Sequence, residues 1–301
     1  MPISSQFEGH FATGVTTVAR CWVVTRKDGE TYGFTDHDRD LTVGNVLCKA
    51  DTGLTAHALE QTTGLAVDNT EALGMLSDAS ISEKDIRAGR FDGAKVDAWL
   101  VNWQTPSQKY LQFRGSIGEI SREAGGFRAE LVGQSEALGL PQGRAFQKPC
   151  GAILGDNACG VNLNSATYSI QRPVLVSHNE IEFSFDGMGS FEAGWFNRGR
   201  LVVKSGDGVD LVGVIRKDHK LSGGKRKIDL WEALRADIQP GDQIRLEAGC
   251  DKATGTCRKK FNNMLNFRGF PTIPGEDWLM SYPTSSGKND GGDLITRPDD
   301  S

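Results

Sequence analysis

The stretch 200–215, RLVVKSGDGVDLVGVI, decides the fold class. Two short runs rich in Val and Leu flank the turn sequence SGDG at 205–208, and this order of β-forming run, glycine-bearing turn and β-forming run is the signature of a hairpin. The same arrangement recurs at 118–133, GEISREAGGFRAELVG, around AGG at 124–126, and again around KDG at 27–29 and SGG at 222–224. Hairpins in succession predict a mainly β, antiparallel protein. Helical signals are few and short. DTGLTAHALEQTTG (51–64) reads as a short helix or an irregular strand, and SEALGLPQG (135–143) closes with Pro and Gly as a helix end does. Thr254 ahead of GTCRKKFNNML reads as an N-cap opening a short helix, with Cys257 in its first turn.

Working outward, 301 residues suit two domains at roughly 100–200 residues each. The segment PQGRAFQKP (141–149) interrupts the strand pattern and sets the division: an N-terminal domain 1–143, a C-terminal domain 144–282, and a polar tail 283–301 expected to be flexible, with only Leu294 and Ile295 as aliphatic anchors. A chain that is 38% hydrophobic and 24% charged is neither disordered nor collagenous. The start, MPISSQFEGHFATGV, lacks a basic and an apolar leader region, and no run approaches the ~18 apolar residues of a membrane span, so a soluble protein without a cleavable signal is expected. The net charge of −5 argues against a generally basic nucleic-acid binder. That total is uneven. Residues 28–100 carry 14 acidic against 6 basic side chains, or −8, and residues 198–228 carry 9 basic against 3 acidic, or +6.

Catalytic signatures are largely missing. There is no G-x-S-x-G, H-E-x-x-H, Walker A or G-x-G-x-x-G motif, and His10, His37, His57, His178 and His219 are scattered. The densest polar cluster, FTDHDRDLTV (34–43), sets Asp36, Asp38 and Asp40 on one face of an extended chain and His37 on the other. A hard cation such as Ca²⁺ would relieve their repulsion, but the glycine and spacing of an EF-hand loop are missing. Side chains that organise a turn at a strand end are the preferred reading.

The six cysteines fall into two kinds. Cys21 in ARCWVVT and Cys48 in GNVLCKA lie in apolar alternations and read as small buried hydrophobes. Cys150 and Cys159 (C-x8-C, in KPCGAILGDNACGV) and Cys250 and Cys257 (C-x6-C, in AGCDKATGTCRKKF) sit in glycine-rich polar sequence and look like ligands converging on one site. Two disulfides are the weaker option for a chain without an export signal. Zinc and an iron–sulfur cluster both accept four thiolates. The tight C-x2-C knuckles of zinc ribbons are absent, and the wider spacers leave room for a larger object. Gly151, Gly160 and Gly249 are expected to let backbone N–H groups approach the sulfurs, and Lys148, Arg258, Lys259 and Lys260 to offset their charge. The expected role is to clamp the loop at 150–159 to the one at 250–257.

At these residues a family resemblance emerges. EAGCDKATGTCRKKFNNMLNFRGFPTIPG (247–275) resembles the C-terminal signature of phage and gene-transfer-agent tail proteins, in which GCD, a second Cys, F-x-N and NF-x-GFP-x-IPG recur. FTDHDRDL (34–41), GLAVDNTEALGMLSD (64–78), DIRAGRFDGAKVDAWLVNW (85–103) and CGAILGDNACGVNL (150–163) look like the N-terminal and central parts of the same family. The resemblance covers nearly the whole chain apart from the tail. It implies a baseplate hub, similar to the iron–sulfur tail-tip protein of lambda-type phages, with two barrel-like modules per subunit and a homotrimer that adapts a hexameric distal tail protein to trimeric, megatron-type tip proteins. It further implies a virion tail baseplate assembled in the bacterial cytoplasm, a tail peptidase among the neighbours, and DNA passing through a channel without specific binding or membrane insertion. By the resemblance Cys150, Cys159, Cys250 and Cys257 are the ligands of a 4Fe–4S cluster, with zinc as the alternative metal. On this reading the acidic side chains of 28–100 line the channel and repel passing phosphates, and the basic stretch 198–228 meets an acidic neighbour. A non-enzymatic role is expected; the competing classes are an iron–sulfur redox enzyme, a zinc-stapled hub and, least supported, a cell-wall hydrolase.

Overall fold

A computed structural model describes residues 3–50, 69–72, 82–123, 126–134, 143 and 145–274. The tail at 283–301, the stretch 51–64 and nearly all of 135–143 lie outside the described residues. The fold is mainly β, with a curled half-barrel sheet and a few short helices. The chain divides into two compact units, 1–142 and 143–301.

The first unit opens with helix α1 (Ser5–Ala12), whose N-cap Ser4 accepts a hydrogen bond from the Phe7 N–H. An eight-stranded sheet follows, built from β1 (Val18–Thr25), β2 (Thr31–Thr35), β3 (Leu41–Val43), β4 (Val46–Lys49), β5 (Asn69–Ala72), β6 (Lys95–Asn102), β7 (Lys109–Glu123) and β8 (Gly126–Gly133), in the order β3-β4-β2-β1-β6-β7-β8-β5. A short helix, α2 (Glu83–Arg87), precedes β6. The pairings are antiparallel except β2 with β4, which run parallel. In β1 the period-2 alternation buries both faces. Trp22 and Val24 join one core with Phe34, Phe91, Val96, Phe113 and Leu131, and Ala19 and Cys21 join another with Leu41, Val43, Cys48 and Val101.

The second unit carries β9 (Ser169–Pro173), β10 (Val176–His178), β11 (Glu182–Phe185), β12 (Arg200–Val203), β13 (Val212–Lys220), β14 (Arg226–Leu230) and β15 (Gln243–Glu247), in the order β10-β11-β14-β13-β12-β15-β9. The hairpins expected around 27–29, 124–126, 205–208 and 222–224 all form. A bulge between Ile215 and Lys217 shifts the parity of β13, so that Gly213, Ile215 and then Asp218 face inward. Asp218 there meets the fully buried Arg226, whose Nη1 donates to its carboxylate at 2.6 Å. Nη1 and Nη2 also donate to the carbonyls of Glu192 and Phe191, and Asp218 accepts the Phe196 N–H at 3.0 Å as well. This buried pair fixes the segment 191–197. The basic excess read from 198–228 is reduced by partners outside that stretch, through the bonds of Arg200 to Glu247 and of Lys227 to Glu182.

Candidate metal centre

The chemistry of the second unit gathers in loops beyond the sheet. Helix α3 (Thr254–Lys259) carries Cys257, as expected, but the N-cap is Ala253 and Thr254 is the first helical residue. Asp251 organises the entry instead, accepting the Ala253 N–H at 2.9 Å and the Thr256 hydroxyl at 2.8 Å. The acidic side chain reaches two groups that a Thr254 hydroxyl, already inside the first turn, does not serve. A 3-10 turn at Met264–Asn266 follows.

Main-chain bonds stitch the loops together. The Cys150 N–H donates to the Lys252 carbonyl at 2.9 Å, and the Gly151 N–H to Arg268 at 3.2 Å. Asn263 Nδ2 donates to the Cys159 carbonyl at 2.6 Å, and Lys252 Nζ to the Ala152 carbonyl. Within the 150–159 loop Asp156 accepts the N–H groups of Ile153 and Cys159, at 2.9 and 2.7 Å, and the Cys159 N–H in particular holds its carboxyl below the usual carboxylate range. Beneath lies an apolar layer of Val161, Leu163, Ala248 and Phe261, with Tyr168 and Trp195 against it.

This arrangement brings Cys150, Cys159, Cys250 and Cys257 to one cavity, floored by Val161 and Phe261. It is narrow, about 340 Å³ counted to its mouth. All four are free thiols of intermediate exposure. Three sulfurs face N–H donors: Cys250 that of Lys252 at 3.4 Å, Cys150 that of Arg268 at 3.3 Å, and Cys159 the Asn263 amide at 3.7 Å. Cys257 donates to the Asn263 carbonyl at 3.3 Å. Burial pushes the Cys250 and Cys257 thiols up, and repulsion from neighbouring cysteines adds to it at both. Four thiolates so placed hold their charge only against a compensating cation. Among the described residues no group of three or more His, Cys, Asp or Glu is gathered tightly enough to hold a metal ion.

Two details differ from the sequence reading. The N–H donors come from Lys252, Arg268 and Asn263, not from the glycines: the Gly151 N–H bonds Arg268, the Gly160 N–H bonds Asp156, and the Gly249 N–H bonds Trp195. Gly249 is needed because a Cβ there would run into the Asn197 carbonyl. Of the basic residues, Lys148, Arg258 and Lys259 are exposed, whereas Lys260 turns inward to the carbonyls of Trp195 and Gly249, with its ammonium 4.3 Å from the Trp195 ring centre. Burial draws its pKa down, opposed chiefly by the Cys250 charge. Asn263 and Arg268 were legible only as parts of the F-x-N and NF-x-GFP motifs.

Elsewhere, Asp36, Asp38 and Asp40 have separate engagements: Asp38 meets His37 Nδ1 at 3.0 Å and the other two accept main-chain N–H groups. Asp36 accepts the Arg20 N–H at 2.6 Å and Asp40 the Ala50 N–H at 2.9 Å, so from a bend, not one face of a strand, they tie this segment to β1 and to the end of β4 rather than organise a local turn.

Fold and site together define a β-sheet protein whose distinctive feature is a thiol-lined cavity of metal-binding chemistry. The family model described as baseplate hub protein, N-terminal attachment domain, matches residues 4–162, and that of phage conserved hypothetical protein BR0599 matches residues 194–277. Among solved structures, a chain from "Virion of native gene transfer agent (GTA) particle" is 47% identical, with a TM-score of 0.89, over 97% of this chain and 100% of that one. No curated protein matches. The chain belongs to the baseplate hub family of phage and gene-transfer-agent tails.

Proposed function

We propose that the chain is a structural hub subunit that assembles as a homotrimer around the DNA channel of a tail, joining a hexameric distal tail protein to trimeric tip proteins. The family membership supports the hub role. In the same reading Cys150, Cys159, Cys250 and Cys257 hold a 4Fe–4S cluster. The observation that carries this part is the ring of four thiols from two loops about 100 residues apart around one cavity, with N–H donors aimed at three sulfurs. Such donors favour sulfur-bound negative charge, as a thiolate-ligated centre needs, and the wide C-x8-C and C-x6-C spacers suit a cluster better than the tight knuckles of a zinc ribbon. When bound, the cluster supplies iron–sulfur bonds that cross-link the 150–159 and 250–257 loops. Residues of this chain do the positioning: Asp156 orders the first loop, Asp251 the second, and Asn263 ties them together. The acidic side chains of 28–100 are proposed to face the channel, and the exposed part of 198–228 an acidic neighbour.

Sedimentation of the purified chain tests the assembly. Three copies per particle are expected, and a monomer at all concentrations, with or without the distal tail protein, contradicts the proposed ring.

A further inference from the structure

Exposed apolar side chains gather on and beside the loops that carry the four cysteines. Phe146 is 77% exposed, Ile153 65% and Leu265 97%, and Phe270, 43% exposed, packs its ring edge-on against that of Phe146 at 4.9 Å. Apolar residues scattered singly over a surface need no explanation, but an aromatic pair standing in water beside a groove does. That groove is lined by Phe146, Gln147, Gly151, Phe267, Arg268 and Phe270, and Phe267 lines the thiol cavity as well, so the two adjoin. Main-chain bonds fix its walls: the Phe270 N–H donates to the Gln147 carbonyl at 3.0 Å and the Gly151 N–H to that of Arg268 at 3.2 Å. The surroundings are basic. Residues 145–160 and 249–274 carry six basic against two acidic side chains, with Lys148, Lys259 and Arg268 exposed. A surface apolar at its centre and positive at its rim fits an acidic polypeptide with apolar anchors.

The chain itself supplies such a segment. GEDWLMSY (275–282), outside the described residues, starts directly after Pro274 and sets Trp278, Leu279 and Met280 behind Glu276 and Asp277, with no basic residue. We propose that this segment docks on the Phe146–Phe270 groove of its own chain, with its apolar side chains on the rings and its two carboxylates toward the basic rim, and so roofs the adjoining thiol cavity. Reach permits it. The Ile273 N–H donates to the Phe270 carbonyl at 3.1 Å, which turns the chain beside the groove, and the four residues from Pro274 to Trp278 span up to about 14 Å. A tether this short gives a high effective concentration, so weak contacts suffice. A Trp seated among aromatic rings is the kind of anchor that carries most of a small interface. Docking needs neither the metal nor the trimeric ring; only the shielding of a metal centre rests on the proposed function.

The test is amide hydrogen exchange of the full-length chain, read by mass spectrometry on peptides spanning 275–282. The expected result is exchange slower than the unstructured rate by about tenfold or more, unchanged when the protein is diluted and weakened at high salt. Phe146→Asp and Trp278→Asp are each expected to return these amides to the unstructured rate while peptides from β12 to β15 keep their protection; should Phe146→Asp not fold, Trp278→Asp decides. Exchange of 275–282 at the unstructured rate in the wild type, protection that a folded variant keeps, or protection that arises only as the chain self-associates overturns the proposal. Iron and sulfide measured on the same samples report on the metal centre separately, so the two readings fail independently.

Discussion

Asp156 shows how one side chain prepares the centre. Its carboxylate takes two backbone N–H groups of the loop that presents Cys150 and Cys159. Asp156→Ala is expected to leave the sheet intact and to loosen this loop, read as faster amide exchange at Ile153 and Cys159 and weaker metal retention. Because those N–H groups depress the folded-state pKa, the stabilising contribution of the carboxylate is present above the ordinary aspartate range and is lost as pH falls through the lowered value. Loop order followed by exchange should therefore hold at neutral and mildly acidic pH and fail in stronger acid. In the sequence, the cysteines were legible because their spacing and glycine-rich setting separate them from Cys21 and Cys48. The roles of Asn263 and the Arg268 N–H were not, since a hydrogen bond across 104 or 118 residues leaves no local pattern.

At the scale of elements, hairpins were readable because each is written locally, in a turn and its two flanks. The bulge in β13 was not. Lys217, Asp218, His219 and Lys220 read as a solvated charged run, and only the parity shift at Ile215 to Lys217 turns Asp218 into the core to meet Arg226. Removing one member strands a buried charge, so Asp218→Ala should cost about 3–5 kcal/mol in denaturant unfolding, with much of the loss recovered when Arg226 is replaced by Met in the same chain. Gly249→Ala is expected to cost on the order of 3 kcal/mol by the same measurement, because its Cβ would collide with the Asn197 backbone. Both effects converge on the segment 191–197, which supports Gly249 and Lys260 beside Cys250. The helix at 254–259 was visible in the sequence, yet its N-cap is Ala253, without a side-chain cap, while Asp251 braces the entry through the Ala253 N–H and the Thr256 hydroxyl.

For the whole molecule, the two opposed charge regions fall in different units, and part of the positive one is neutralised by Glu247 and Glu182 from outside it. Counting charges along the chain overstated the basic surface, since pairing across strands is invisible to a linear count. Family membership makes the chain a structural component of a tail baseplate, and in the proposed reading the four-thiol centre holds loops of the second unit rigid. The most direct test of this account is quantitation of iron, acid-labile sulfide and zinc in anaerobically purified full-length protein, alongside the variant in which all four loop cysteines are serine. The account predicts iron and sulfide in equal amounts, about four of each per chain, in the wild type and neither in the variant. Stoichiometric zinc without sulfide, or no bound metal at all, would contradict it.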